Sequence, residues 1–193
     1  VPGENYAFSY NILSDGSAEV YGFTGTLPDA LTVPAQVDGY SVTALSLDLS
    51  SAPVKSLTVS EGIRTVRLSG AGSALSAMVL PGSMTSFEIS GGANYPNLTD
   101  LTVSPGSAYT ASSGILCKDS QATLVWWPSA TGSIVVADGV TEAGAGAFSG
   151  TQVQAAVLPR SVVSVDNSAF SGCSALTDLT VSYAYAVLGS GIM

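Results

Sequence analysis

The stretch Ala156–Ser182, AVLPRSVVSVDNSAFSGCSALTDLTVS, holds one complete structural unit and the first strand of the next. With Val153 just before it, Ala156 and Leu158 follow the spacing L-x-x-L-x-L, and Leu176, Leu179 and Val181 repeat that spacing at its end. Alternate residues of a strand lie on one face, so each triplet gives a short strand one apolar side. Between the two strands come Pro159, Val162 and Val165, then Ala169-Phe170-Ser171-Gly172-Cys173, a short turn that plugs Phe170 into the core before the chain returns.

The unit recurs along the whole chain. Its anchors are Leu31, Leu57, Met78, Leu101, Ile134, Ala156 and Leu179, each followed two positions later by Val33, Val59, Leu80, Val103, Val136, Leu158 and Val181. Another apolar residue stands three before most anchors, as at Val54, Leu75, Leu98, Val153 and Leu176. A strand that returns after roughly 20 residues must pair in parallel with its counterpart in the next coil. The expected fold is therefore mainly β: a right-handed leucine-rich-repeat solenoid with a parallel concave sheet, short convex strands or 3-10 turns, and an N-terminal hairpin cap. It is a single repeat domain over 1–193, divided into a capping hairpin (1–30), units one to four (31–110), a hairpin insertion (111–133) and units five to seven (134–193).

These residues resemble the BspA-like, or Treponema-type, leucine-rich repeats found on surfaces of bacteria and some protists. LPRSVVSVDNSAFSGCSALTDLTVS is similar to that repeat over its full length, and VVADGVTEAGAGAFSGTQVQAAVLP is a second copy. FSYNILSDGSAEVYGFTG and LTVPAQVDGYSVTAL resemble the family's N-terminal segment, and SSGILCKDSQATLVWWPSA its recurrent hairpin insertion. The resemblance covers roughly nine-tenths of the chain. It implies a secreted or cell-surface location and adhesion-type binding of a protein or glycan, with no cofactor. It also places Cys173 at a small buried position of the repeat.

Phe8–Leu13 and Ala18–Phe23 alternate around Ser14-Asp15-Gly16-Ser17, which predicts the capping hairpin. Units one to three lack the Ala-Phe-x-Gly turn. They carry Leu47-Asp48-Leu49-Ser50, Val66-Arg67-Leu68-Ser69 and Phe87-Glu88-Ile89-Ser90, whose period of two predicts a three-stranded parallel back sheet. In that register Asp48, Arg67 and Glu88 stand side by side as a charge ladder. The one long step, from Leu101 to Ile134, contains a hairpin with arms Gly114–Lys118 and Thr123–Trp127 turning at Asp119-Ser120. Tyr183 and Tyr185 are expected to cover the last coil, and the chain stops at Met193 part-way through a seventh unit with no recognisable polar cap. It begins at Val1 without a basic-then-apolar leader, which fits either a processed secreted protein or a trimmed chain.

Composition narrows the chemistry. Five Lys and Arg against fourteen Asp and Glu give a net charge of -9, which repels nucleic acid. No apolar run is long enough for a membrane-spanning helix. There is no histidine, so His-dependent triads and the commonest metal ligand are absent. Cys117 has no adjacent base, and neither it nor Cys173 has a disulfide spacing signature. The carboxylates expected on the concave face, Asp100 and Asp178, lie three strands apart, or about 14 Å at ~4.8 Å per strand. Glycosidase pairs stand about 5–9.5 Å apart. Gly70-Ala71-Gly72 and Gly144-Ala145-Gly146 precede no helix or Lys and read as coil corners rather than phosphate loops. Asn97-Leu98-Thr99 matches a glycosylation sequon where a repeat corner wants Asn.

The expected contact residues are Trp126 and Trp127, with Thr58, Thr102 and Asp100 of the concave face. Adjacent strand residues face opposite ways, so if one indole packs inward the other is exposed and free to bind. The other reading has neighbouring coils covering both. Two functions are open at this point: a non-enzymatic domain recognising a protein or glycan, and a structural spacer or stalk displaying other domains.

Overall fold

A computed structural model describes residues 6–50, 52–90, 93–182 and 187–188; the expectation for Tyr183 and Tyr185 lies outside them. All its named elements are strands. β1 (Tyr6–Ile12) and β2 (Ala18–Gly25) form the N-terminal hairpin, closed by Gly16 at φ 81°. The first coil carries β3 (Ala30–Val33), β4 (Gln36–Val37) and β5 (Tyr40–Asp48), and Asp38-Gly39, both left-handed, turns β4 back onto β5. The second and third coils each give a front and a back strand: β6 (Ser56–Val59) with β7 (Thr65–Ser69), and β8 (Ala77–Leu80) with β9 (Ser86–Ile89). β10 (Asp100–Val103) starts the fourth. A meander follows, of β11 (Tyr109–Ser112), β12 (Ile115–Lys118) and β13 (Thr123–Trp126). The remaining coils pair β14 (Thr131–Val135) with β15 (Glu142–Ala143), β16 (Gln152–Leu158) with β17 (Ser164–Val165), and β18 (Asp178–Val181) with β19 (Val187–Leu188).

The anchors define the front. Leu31, Leu57, Met78 and Leu101 stand in register across β3, β6, β8 and β10, and Ile134, Ala156 and Leu179 across β14, β16 and β18, all in parallel pairing. This register makes the molecule a leucine-rich-repeat solenoid. The front is two sheets rather than one, because β10 and β14 do not pair. Asp100 and Asp178 therefore sit on different sheets, and the strand count that put them about 14 Å apart does not apply.

The back is also divided. In the first half β5, β7 and β9 pair in parallel as the period-two pattern predicts, but the sheet is larger, because β2 joins β5 in parallel and brings β1 with it. The hairpin thus covers the first coil by extending the back sheet. The charge ladder has a different membership: Arg67 stands opposite Ser46 and Glu88, while Asp48 pairs with Ser69. Arg67 bonds Glu88 at 3.0 Å and reaches Glu19 of β2 at 3.3 Å. Asp48 drops out because its carboxylate turns to cap Ser50. In the second half the back strands shrink to two residues, and successive i to i−3 bonds wind the Ala-Phe turns: Ala169 N to Asp166 O, Ser171 N to Ser168 O, and Cys173 N to Phe170 O.

Coil corners are held by carboxylates. Asp15, Asp48 and Asp166 each accept the hydroxyl and amide of the serine two residues on, at 2.6–2.9 Å. Glu61 accepts the amides of Gly82 and Ser83 in the next coil. The serine hydroxyls first, and the amides second, hold the three Asp carboxyls below their ordinary range; the Gly82 amide does most for Glu61. A depressed folded-state pKa stabilises above the unfolded value, and that stability is lost as pH falls. Melting temperature should hold or rise slightly from pH 7 to about 5, as the net charge of -9 is partly neutralised, then fall below about pH 4.3. Asp48→Asn and Asp166→Asn should flatten the acid limb; a melting curve unchanged down to pH 3 would contradict this account.

Candidate functional site

Strand alternation sends the anchors inward and their neighbours outward. On the first front sheet the outward columns are Ala30, Ser56, Ala77, Asp100 and Thr32, Thr58, Val79, Thr102. On the second they are Ser133, Ala155, Asp178 and Val135, Val157, Thr180. The surface is small, β-branched and nearly uncharged, with Val79 and Val135 38% and 67% exposed. Thr58 and Thr102 flank Val79 about 10 Å apart, and Asp100 lies about 7 Å along the strand from Thr102. All three are exposed, so this part of the expected contact set forms one patch.

The tryptophans lie elsewhere. The insertion has one strand more than its two predicted arms, because β11 precedes them and pairs with β12 through the Ser113-Gly114 turn. Alternation along β11 and β12, with a bulge at Val125 that switches faces between Leu124 and Trp126 in β13, makes the meander two-faced. Tyr109, Ala111, Leu116 and Trp126 pack into the core of the first half. Ile115 and Leu124, on the opposite face, pack with the second. The meander is a partition between the two halves, and its insertion accompanies the break in the front sheet.

Trp126 is 0% exposed, with its ring centre 5.3 Å from Phe87 and 5.6 Å from Tyr95. It cannot touch a partner, which corrects its place among the contact residues. Tyr95 is held from the other side by its hydroxyl, which donates to Ser69 O at 2.7 Å. Trp127 is half-buried rather than exposed. It lies just past the end of β13, its amide donates to Ala147 O at 2.7 Å, and its ring lies 6.2 Å from Phe148. Phe148 in turn stacks on Phe170 at 4.6 Å and 9°. One indole belongs to each core, and the pair straddles the seam.

Beside Trp127 is a hollow of about 220 Å³ that sequence reasoning missed. Thr110, Ser112, Ile115, Cys117 and Leu124 supply the meander wall, and Ala137 and Val140 the wall of the second half. Ser113 and Gln121, at its rim, are non-glycine residues in the left-handed region, at φ 51° and 75°. The missed signal was the alternation Tyr109-Thr110-Ala111-Ser112, apolar against hydroxyl-bearing on opposite faces. None of Thr58, Thr102 and Asp100 lines the hollow.

Burial pushes the Cys117 thiol up, so it stays protonated and is a poor nucleophile. Cys173 donates to Phe148 O at 2.9 Å, and both cysteines are free. Asn97, at the sequon, uses its amide to bond Ser73 O of the preceding coil at 2.7 Å. Among the described residues no group of three or more His, Cys, Asp or Glu is placed to hold a metal, and no helix is long and apolar enough to cross a membrane.

No protein-family model and no curated protein matches the chain. Solved structures similar to it include a leucine-rich-repeat protein from Eubacterium ventriosum, at 15% identity, TM-score 0.47, and 96% of this chain against 74% of that one. A leucine-rich cell-surface protein from Faecalibacterium prausnitzii is also 15% identical, with TM-score 0.37 and coverage of 90% and 74%. The pneumococcal vaccine antigen PcpA is 15% identical, with TM-score 0.46 and coverage of 90% and 54%. The solenoid assignment here rests on the register of the strands themselves.

Proposed function

We propose that this chain is a non-enzymatic recognition module, secreted or displayed at a cell surface, that binds a protein partner across its front sheet. The observation that carries the reading is the exposed patch of Thr58, Val79, Thr102 and Asp100 on paired strands. β-Branched side chains on a hydrogen-bonded sheet are already ordered, so binding costs them little rotamer entropy. A protein suits the patch better than a glycan, because none of these four residues offers an aromatic ring for a sugar to stack on. Asp100 supplies one fixed charge for orientation.

The small residues Ala30, Ala77 and Ala155 favour a second reading, a spacer that displays other domains, because they present few anchors of the kind that dominate binding energy. A panel of extracellular-matrix proteins and glycans, tested against the immobilised chain, separates the two. The recognition reading expects a protein binder that Thr58→Arg and Thr102→Arg each weaken by about tenfold or more, a loss of ~1.4 kcal/mol. A panel with no binder, or a binder indifferent to both substitutions, favours the spacer.

A further inference from the structure

We infer that the hollow at the seam is a ligand site for one neutral aromatic ring with a single hydrogen-bonding edge, of the phenol or indole class. This goes beyond the front-sheet reading, because the two sites share no residue.

The hollow follows from the two-faced partition. Large side chains of the meander, Tyr109, Leu116 and Trp126, all face the first half and are fully packed there. On the other face Ile115 and Leu124 pack with the second half, while Thr110, Ser112 and Cys117 beside them are small and leave the space facing Ala137 and Val140 open. The result is an open hollow of about 220 Å³ whose walls come from both halves. Junctions between packed units are favoured places for ligand sites.

Its lining selects the guest. No Lys, Arg, Asp or Glu lines it, so a charged ligand would enter without a counter-charge. Trp127 offers a flat ring for offset stacking, and Ile115, Leu124 and Val140 offer aliphatic walls. A sugar would bury several hydroxyls against those aliphatic walls, where they lose hydrogen bonds to water. A flat ring with one polar edge leaves that edge at the rim, beside Ser112 and Gln121. The size also fits, since an apolar cavity of about 150 Å³ admits benzene, and the extra volume admits one substituent.

The hairpin turns shape the rim. Of the five described non-glycine residues with left-handed φ, four (Ser113, Asp119, Ser120 and Gln121) fall in this meander, and two of those line the hollow. They close the two hairpin turns of the meander, which sets Ser113 and Gln121 beside the hollow.

The test uses p-cresol, indole, N-acetyl-tyrosinamide and methyl glucoside as probes on the whole chain. Alkylation of Cys117 is followed by peptide mass analysis, with Cys173 as internal control. p-Cresol or indole should saturably slow Cys117 alkylation about fivefold or more, leave Cys173 unchanged and alter tryptophan emission. Val140→Phe, which fills the hollow, should abolish the protection, and Ser112→Leu in the meander wall should weaken it should Val140→Phe fail to fold. Protection by N-acetyl-tyrosinamide as well means that a protein side chain can be the guest; protection by the free rings alone means a small molecule. Either outcome supports the site. No saturable protection by cresol or indole at millimolar concentration overturns it, as does equal protection by methyl glucoside or protection that survives both substitutions. None of these outcomes bears on the Thr58 and Thr102 variants, so the two readings fail separately.

Discussion

Trp126→Ala should lower the melting temperature by roughly 6–20 °C, the largest effect of any substitution in the meander. Removing a fully buried Trp costs about 3–5 kcal/mol, and each kcal/mol moves the midpoint of a chain of this length by about 2–4 °C. Trp126 packs against both Phe87, on the back strand of the third coil, and Tyr95, in the connection from that strand to β10, so collapse into the cavity would distort backbone at both places. Its indole N–H is buried without a hydrogen-bond partner. Trp126→Phe keeps most of the packing and removes that orphaned donor, so it should cost well under half as much as the alanine change. Trp127→Ala should also cost less, because Trp127 is half-buried. Thermal melts of the three variants decide the matter: equal losses at Trp126 and Trp127 would refute the opposed burial of the pair.

Phe148→Ala should cost a similar ~3–5 kcal/mol, but its effect should stay within the second half. Phe148 is 0% exposed, stacks on Phe170, and lies against Trp127, while its carbonyl accepts the Cys173 thiol. In a stacked array each unit contacts only its neighbours, so losing one interface loosens nearby coils before distant ones. Amide exchange should accelerate in β14, β16 and β18, with protection largely retained in β3, β6 and β8. The joint is the meander, whose two faces belong to separate apolar clusters. Uniform loss of protection along the chain would mean that the halves unfold as one unit, contrary to this division.

Much of this architecture was legible in the residues because the repeat is local. An L-x-x-L-x-L triplet fixes which side of a four-residue strand is apolar, and its return after about 20 residues leaves parallel stacking as the way to bury that side. The anchors from Leu31 to Leu179, the outward threonines and the period-two back strands follow from that pattern alone. The Arg67 ladder was only half legible. Its partner Glu88 lies one coil away at the matching position, but Glu19 reaches Arg67 from a hairpin whose pairing with β5 no repeat spacing announces.

The tryptophans and the hollow depended on contacts between segments that share no repeat position. Alternation correctly says that Trp126 and Trp127 face different ways, but which faces are covered depends on what stands beside the meander. The sequence by itself determined the coil, its parallel register and the small, nearly uncharged front bearing Thr58, Thr102 and Asp100. The tertiary structure decided that the meander is a partition rather than a surface flap, that Trp126 is core and Trp127 is the wall of a hollow, and that the front sheet breaks after Asp100–Val103. The physical reason is that periodicity encodes the direction of a side chain relative to its own strand, whereas burial depends on the neighbour that meets it.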